Sequence, residues 1–224
     1  MITLEQMLDA GVHFGHQVRR WNPKMEPYIY GERNGIHIID IVQTLACLEN
    51  ISEYLTQEAS KGKTILFVGT KRQAAPVIQT AALESNSFYV NQRWLGGMLT
   101  NWSTMTTCIA KLKSIEKQDE MGILEKLPKK EVAIINKRRG KLEKFFGGIK
   151  TMSKLPDIVI LVGQPREINA IKECNKLGIR TITILDTNCD PALADLFIPA
   201  NDDSIRSVEL ILNELTEAIK KGQK

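Results

Sequence analysis

The chain has 224 residues, 43% of them hydrophobic and 25% charged, with a formal net charge of +4. That length suits one large or two small globular domains with an ample buried core. No apolar run approaches the roughly 20 residues that a membrane-crossing helix needs. The cysteines at 47, 108, 174 and 189 form no CxxC pair. These features exclude a helical membrane protein and a disulfide scaffold, and free thiols in a reducing compartment are expected. The charge is unevenly spread: residues 61–150 carry 17 Lys/Arg against 7 Asp/Glu, a local +10, so the flanks sum to −6. The middle of the chain should therefore face a polyanion, and the acidic flanks solvent or basic protein neighbours.

In chain order, the first informative stretch is GVHFGHQVRRWNPKM, residues 11–25. His13, His16, Arg19, Arg20 and Lys24 offer donors to phosphate and 2′-hydroxyl oxygens, and Phe14 and Trp21 offer flat faces for bases or guanidiniums. The alternative is a solvated basic loop around one buried ring. The spacing of His13 and His16 suits a metal, but no nearby cysteine pair completes a tetrahedral set, so no metal site is expected.

Beyond it, apolar positions Ile41, Leu45, Leu48 and Leu55 predict a helix over 41–60, and further helices are expected over 72–85, over 165–177 ending at Gly178, and over 204–221. The runs TILFVGT (64–70), DIVILVG (157–163) and TITILDT (181–187) read as strands buried on both faces, with FYV (88–90) and FIP (197–199) as shorter ones. Strands alternating with helices imply an α/β fold, an open parallel sheet flanked by helices.

RWLGGMLTNW (93–102) divides by chemistry. Trp94, Leu95, Met98 and Leu99 suit a core at the junction, with Gly96 and Gly97 permitting a bend, whereas Arg93, Thr100, Asn101 and Trp102 have donors or rings that could reach RNA. From 102 to 150 the periodicity changes. Trp102, Met105, Ile109 and Leu112, then Val132, Ile135, Leu142, Phe146 and Ile149 with Arg139 at one slot, follow a 3/4 spacing on two successive helices. They predict an antiparallel helical hairpin inserted between a sheet domain of residues 1–101 and 151–224. Gly140 inside the second helix marks a weak point or a place of close approach. The hairpin cations are Lys111, Lys113, Lys117, Lys126, Lys129, Lys130, Lys137, Arg138, Arg139, Lys141, Lys144 and Lys150. Lys126–Lys130 reads equally well as a solvated face, whereas KRRGK, with Lys137, Arg138, Arg139 and Lys141 around a glycine, lets an RNA backbone approach.

An open parallel sheet could instead serve an enzyme, since ligands gather at the carboxyl ends of its strands. Those ends read VGTKRQ, VGQPRE and LDTNCDP, without GxGxxG or GxxxxGK[ST], so a nucleotide site would have to be improvised from single glycines and Lys71 or Arg72. Asp186 and Asp190 lack a companion nucleophile motif and read as capping and turn residues, and nothing points to a lowered pKa at Cys189. A protein-docking module using the hairpin as an arm would leave the central charge unexplained.

The opening stretch, RWLGGMLTNW, FGGIKTMSKLPDIVILV (146–162) and DTNCDPALADLFIPANDDSIRS (186–207) together resemble, in order, the blocks of the bacterial and plastid S-two family of small-subunit ribosomal proteins. The resemblance implies a flavodoxin-like sheet with an inserted coiled-coil protrusion, no catalysis and no cofactor. It implies a structural constituent of the small subunit, placed between head and body, that joins late in assembly. Its partners would be small-subunit rRNA and neighbouring ribosomal proteins, including the messenger-binding protein one. The RNA-facing candidates are then His13, His16, Arg19, Arg20, Trp21, Lys24, Arg72, Arg93, Asn101, Trp102, Lys137, Arg138, Arg139 and Lys141. TNWST (100–104) and DTNCDP (186–191) resemble plastid-encoded members, and no Arg/Ser-rich leader precedes ITLEQMLDAGVHFGH, so plastid synthesis is expected with a bacterium as the alternative. One departure is Leu127, where a capping Thr or Ser would be expected before Pro128.

Overall fold

The computed structural model describes residues 2–124 and 127–224. Helix α1 (Leu4–Asp9) opens the chain, held by a capping box in which the Thr3 hydroxyl accepts from Gln6 N and the Gln6 side chain accepts from Thr3 N. Three short strands, β1 (Phe14–Gln17), β2 (Ile29–Arg33) and β3 (Ile36–Ile39), then form an antiparallel sheet in the order β1-β3-β2. This sheet was not among the expected elements. β1 and β2 lie half in solvent, and although His37 and Ile39 of β3 are buried, none of the three strands shows a clean alternation of apolar residues, so periodicity is silent there. The legible signal was Asn34-Gly35, whose φ values of 53° and 76° make the two-residue turn joining β2 to β3.

Helix α2 (Ile41–Ser60) starts on Asp40, whose carboxylate accepts from Val42 N. It leads to β4 (Ile65–Val68), α3 (Ala74–Glu84), β5 (Phe88–Val90), the helices α4 (Trp102–Glu120) and α5 (Lys129–Phe146), β6 (Ile158–Val162), α6 (Ile168–Leu177), β7 (Arg180–Leu185), β8 (Leu196–Pro199) and α7 (Ile205–Gly222). Among the described residues, the five later strands make one parallel sheet in the order β5-β4-β6-β7-β8. Counted along the chain this is 2-1-3-4-5, the flavodoxin-like order. Every residue of β4 and β6 is buried, as a strand covered on both faces requires. Helix α6 stops at Gly178, which takes the left-handed conformation at φ 67°.

Two cores lie on opposite faces of the sheet. Ile65, Phe67, Ile158, Ile160 and Ile182 pack against α2, α3 and α7, where Val208, Ile211, Leu212, Leu215 and Ile219 form a fully buried stripe. Leu66, Val68, Val159 and Leu161 face α6, Trp94, Met98, Leu99 and the sheet-proximal parts of α4 and α5. Each fully buried Leu or Ile here contributes about 1.5–3 kcal/mol over an exposed one. No helix among the described residues is long and apolar enough to cross a membrane.

Helices α4 and α5 pack on each other as the predicted stripes direct. Met105, Ile109, Leu112, Phe146 and Ile149 are buried, while Val132, Ile135, Arg139 and Leu142 are half buried farther out. Asp119 pairs with Arg139 and Glu116 with Lys150, so α5 returns antiparallel to α4. Helix α5 begins after Pro128 without any side-chain cap, consistent with leucine at 127, and runs unbroken through Gly140. Lys126 lies outside the described residues.

Candidate nucleic-acid interface

The segment from Gly11 to Tyr28 lies over the carboxyl end of the parallel sheet. Gly15 makes this possible, because a Cβ there would sit 2.6 Å from Thr187 Cγ2 and 3.0 Å from the His37 carbonyl. The His16 backbone N–H donates to Thr187 Oγ1 at 2.9 Å, and its ring reaches Asp186 (Nδ1–Oδ2, 2.9 Å) and Asp203 (Nε2–Oδ2, 3.3 Å). The hydrogen bond to Asp186 raises the His16 pKa, against the opposing effect of burial. Both ring nitrogens of His16 are thus engaged inside the chain. Its neighbour His13 packs against Phe14 with ring centroids 4.0 Å apart and the rings tilted by 39°, and burial lowers its pKa.

The same end of the sheet is where this fold usually holds small ligands. Here it is filled by the chain itself. Lys71, just past β4, donates to Asp202 at 2.6 Å and Asp203 at 2.9 Å, and Glu167 accepts from Thr70 N at 2.8 Å and Thr70 Oγ1 at 2.5 Å. Loss of water around Lys71 works against its charge, yet two carboxylates raise its pKa overall. Burial pushes Asp202 up to about 6, because it has one lysine to set against nearby Asp186 and Asp203. His16, Asp186, Asp202 and Asp203 each bring a ligand-type atom within 4.8 Å of the others, but these groups already pair with one another and with Lys71. No local spacing announces this cluster, because its members lie at the two ends of the chain. Asp190 accepts from Ala192 N and from Lys24 Nζ at 2.7 Å, the latter lowering its pKa.

The RWLGGMLTNW junction is organised by a residue outside it. Glu173, on α6, accepts from Trp94 Nε1 (3.0 Å), Gly97 N (2.8 Å), Leu99 N (2.9 Å), Thr100 N (3.1 Å) and Thr100 Oγ1 (3.1 Å). Burial alone would raise its pKa, but these donors hold the carboxyl below its ordinary value. Trp94 is only 8% exposed, and its ring belongs to the core. Trp102 packs half buried against the same core. Asn101 sits at the start of α4, exposed, and accepts from the Thr104 hydroxyl.

The candidates thus separate. Arg19, Arg20, Arg72, Arg93, Asn101, Lys137, Arg138 and Lys141 are exposed, and Lys24 is exposed but paired with Asp190. His13, His16, Trp21, Trp102 and Arg139 are half buried, with Trp21 against the buried His37 at 5.1 Å and Arg139 bound to Asp119. Arg19 and Arg20 share one 3-10 turn at the N-terminal segment, whereas Lys137, Arg138 and Lys141 belong to the outward face of α5. Lys130, Lys137, Lys141 and Lys144, spaced 7, 4 and 3, occupy one exposed helical face opposite Val132, Ile135, Leu142 and Phe146. Lys130 and Lys144, counted earlier only among the hairpin cations, complete this face.

Similarity to known proteins extends over the whole chain. A protein from Mesostigma viride named small ribosomal subunit protein uS2c is 58% identical over 223 residues, covering 100% of this chain and 98% of that protein. One of the same name from Oltmannsiellopsis viridis is 56% identical, covering 99% and 93%. Small ribosomal subunit protein uS2 of Microcystis aeruginosa is 57% identical over 224 residues, covering all of this chain and 84% of its own length. The profile of the family described as Ribosomal protein S2 matches residues 7–222, and the chain belongs to that family.

Proposed function

We propose that the chain is a structural constituent of the small ribosomal subunit, of a plastid or a bacterium, that binds its rRNA through surface cations and performs no chemistry. The observation that carries this reading is the outward lysine face of α5, where exposed cations stand opposite a half-buried apolar stripe. Surface charge without an ion-pair partner among the described residues contributes little to stability, and its use is to meet phosphates. The internal bonds of Lys71, His16 and Glu167 support a scaffold at the sheet end where an enzyme of this fold would hold substrate. On this reading residues 102–150 act as a separate arm on a sheet domain of 1–101 and 151–224. Exposed Leu8, Phe14, Tyr30 and Val42 form the kind of apolar surface that a protein neighbour covers, and the family resemblance names the messenger-binding protein one among them.

The test is sedimentation of tagged protein through a gradient at physiological salt. Co-migration with small subunits is expected. Protein that stays at the top of the gradient, with turnover of a phosphorylated small molecule, would support the enzyme instead.

A further inference from the structure

Gly140 poses a question that the fold of the free chain does not answer. Glycine in a helix interior weakens the helix, yet a Cβ at this position would meet nothing within 4 Å. Packing within the chain therefore gives no reason for a missing side chain. Gly140 does stand at the rim of a groove of about 410 Å³ between α5 and β5, the edge strand of the parallel sheet. That volume falls in the roughly 300–1,000 Å³ range of small-molecule sites.

The groove's floor is set by close approach. A Cβ on Gly148 would lie 2.2 Å from the Tyr89 carbonyl oxygen, so this glycine brings the base of α5 directly onto β5. Two half-buried rings, Tyr89 and Phe145, line the groove. Beside them, Asn91 Nδ2 donates to the Ala75 carbonyl and to Gln79 Oε1, both at 3.2 Å. That orientation spends the Asn91 donors inside the chain and leaves its carbonyl oxygen and the Gln79 amide donors for a ligand. The Glu143 carboxylate adds a second acceptor and Lys144 a cation, and Lys144 is also the last rung of the exposed lysine face.

Resting on the RNA reading above, we infer that this groove receives one unstacked nucleotide of the RNA strand that Lys137, Lys141 and Lys144 hold along α5. The rings supply stacking surfaces, as in recognition of splayed-out bases. The Asn91 carbonyl and the Glu143 carboxylate offer two acceptors, which favours adenine, cytosine or guanine, whose exocyclic amino groups carry two N–H donors, over uracil, which has N3–H alone. Gly140 keeps the mouth open for the strand to turn in.

The experiment uses small subunits stripped of this protein and rebound with full-length purified variants over a range of salt, with base-specific chemical probing of the rRNA. Gly140→Gln, which fills the mouth without changing charge, should fold with an equal or higher thermal midpoint. It should bind at least tenfold more weakly with an unchanged salt slope, and expose one amino-bearing base that the parent protein protects. Lys137→Ala combined with Lys141→Ala should lower the salt slope by about 1.4, at roughly 0.7 per single-strand phosphate contact. If Gly140→Gln binds and protects like the parent while the lysine variant loses slope, the nucleotide site is wrong and the RNA reading stands. Weaker binding of Gly140→Gln with no base protected by the parent would also overturn the site, placing a protein neighbour in the groove. If neither variant changes binding, the RNA reading itself fails.

Discussion

Replacing Glu173 with alanine strips the acceptor from five donors at once and tests how the sheet is joined to α4. Trp94 Nε1 and Leu99 N lie in fully buried surroundings, whereas Gly97 N, Thr100 N and Thr100 Oγ1 are partly reachable by water. Each buried donor left without a partner costs about 1–3 kcal/mol, so the two fully buried ones set a loss on the order of 4 kcal/mol. For a chain of this size that corresponds to a fall in thermal midpoint of about 8–16 °C. Glu173→Gln keeps one acceptor oxygen but turns an amide NH2, itself a donor, toward the remaining donors, so it should fall between alanine and the parent.

The pH dependence has a definite sign. Hydrogen bonds hold the folded Glu173 carboxyl below its ordinary value of 4.5. Its contribution is therefore complete above the unfolded pKa and is lost as pH falls through the lower folded value. The gap in stability between the parent and Glu173→Gln should narrow as pH drops from about 6 to about 3. Urea unfolding followed by tryptophan fluorescence at several pH values measures this. An alanine variant within about 1 kcal/mol of the parent, well under the cost expected for two orphaned donors, would show that the junction is held by apolar packing alone.

Gly148→Ala should destabilise by about 1–3 kcal/mol, the usual cost of overpacking, because its Cβ would overlap the Tyr89 carbonyl; a thermal melt unchanged from the parent would refute that contact. Burial pushes the Cys174 thiol up to about 12 and that of Cys189 higher still. A thiol reagent at about pH 8 should label the native chain first at the half-buried Cys108 and Cys47, more slowly at Cys47 because burial raises its pKa, and reach the buried Cys174 and Cys189 only after unfolding, as mass spectrometry of the labelled peptides would show. Replacing Arg19 and Arg20 with glutamine should reduce incorporation into small subunits in competition with the parent, most strongly at low salt and less as salt rises, because the variant has the shallower salt slope, without altering the melt. Equal incorporation at every salt concentration would make the opening segment a packing element. His13→Gln should act weakly, through its packing on Phe14.

The parallel sheet was readable because its strands are continuous apolar runs: 88–90 matched β5, and 41–60 matched α2 to the residue. Strands that face neighbouring helices on both sides need no alternation, so the run itself is the signal. The antiparallel sheet was missed because its short strands lie half in solvent, leaving only the Asn34-Gly35 turn as a cue. The opening motif was singled out for its residue types, but those types do not say which side chains are spent internally. His16 and Lys24 find carboxylates about 170 residues away, at Asp186 and Asp190, and no local pattern announces such a pairing. Glu173 escaped notice for a related reason: on an amphipathic helix it reads as a solvent-facing charge until the Trp94 loop is folded over it.

Those distant pairings also constrain the order of events during synthesis. His16 N–H bonds Thr187 across 171 positions, Asn201 bonds the Gly11 carbonyl across 190, and Thr44 bonds the Pro199 carbonyl across 155. The first residues to leave the translating ribosome must therefore wait for almost the last before they can settle. At roughly 5–20 residues per second, that wait is on the order of 10–40 s. Throughout it, Arg19 and Arg20 hang on an unanchored tether. A nascent or prematurely terminated chain can carry every arginine and lysine of the surface and still lack the rigid display that only the final strand and helix lock in place.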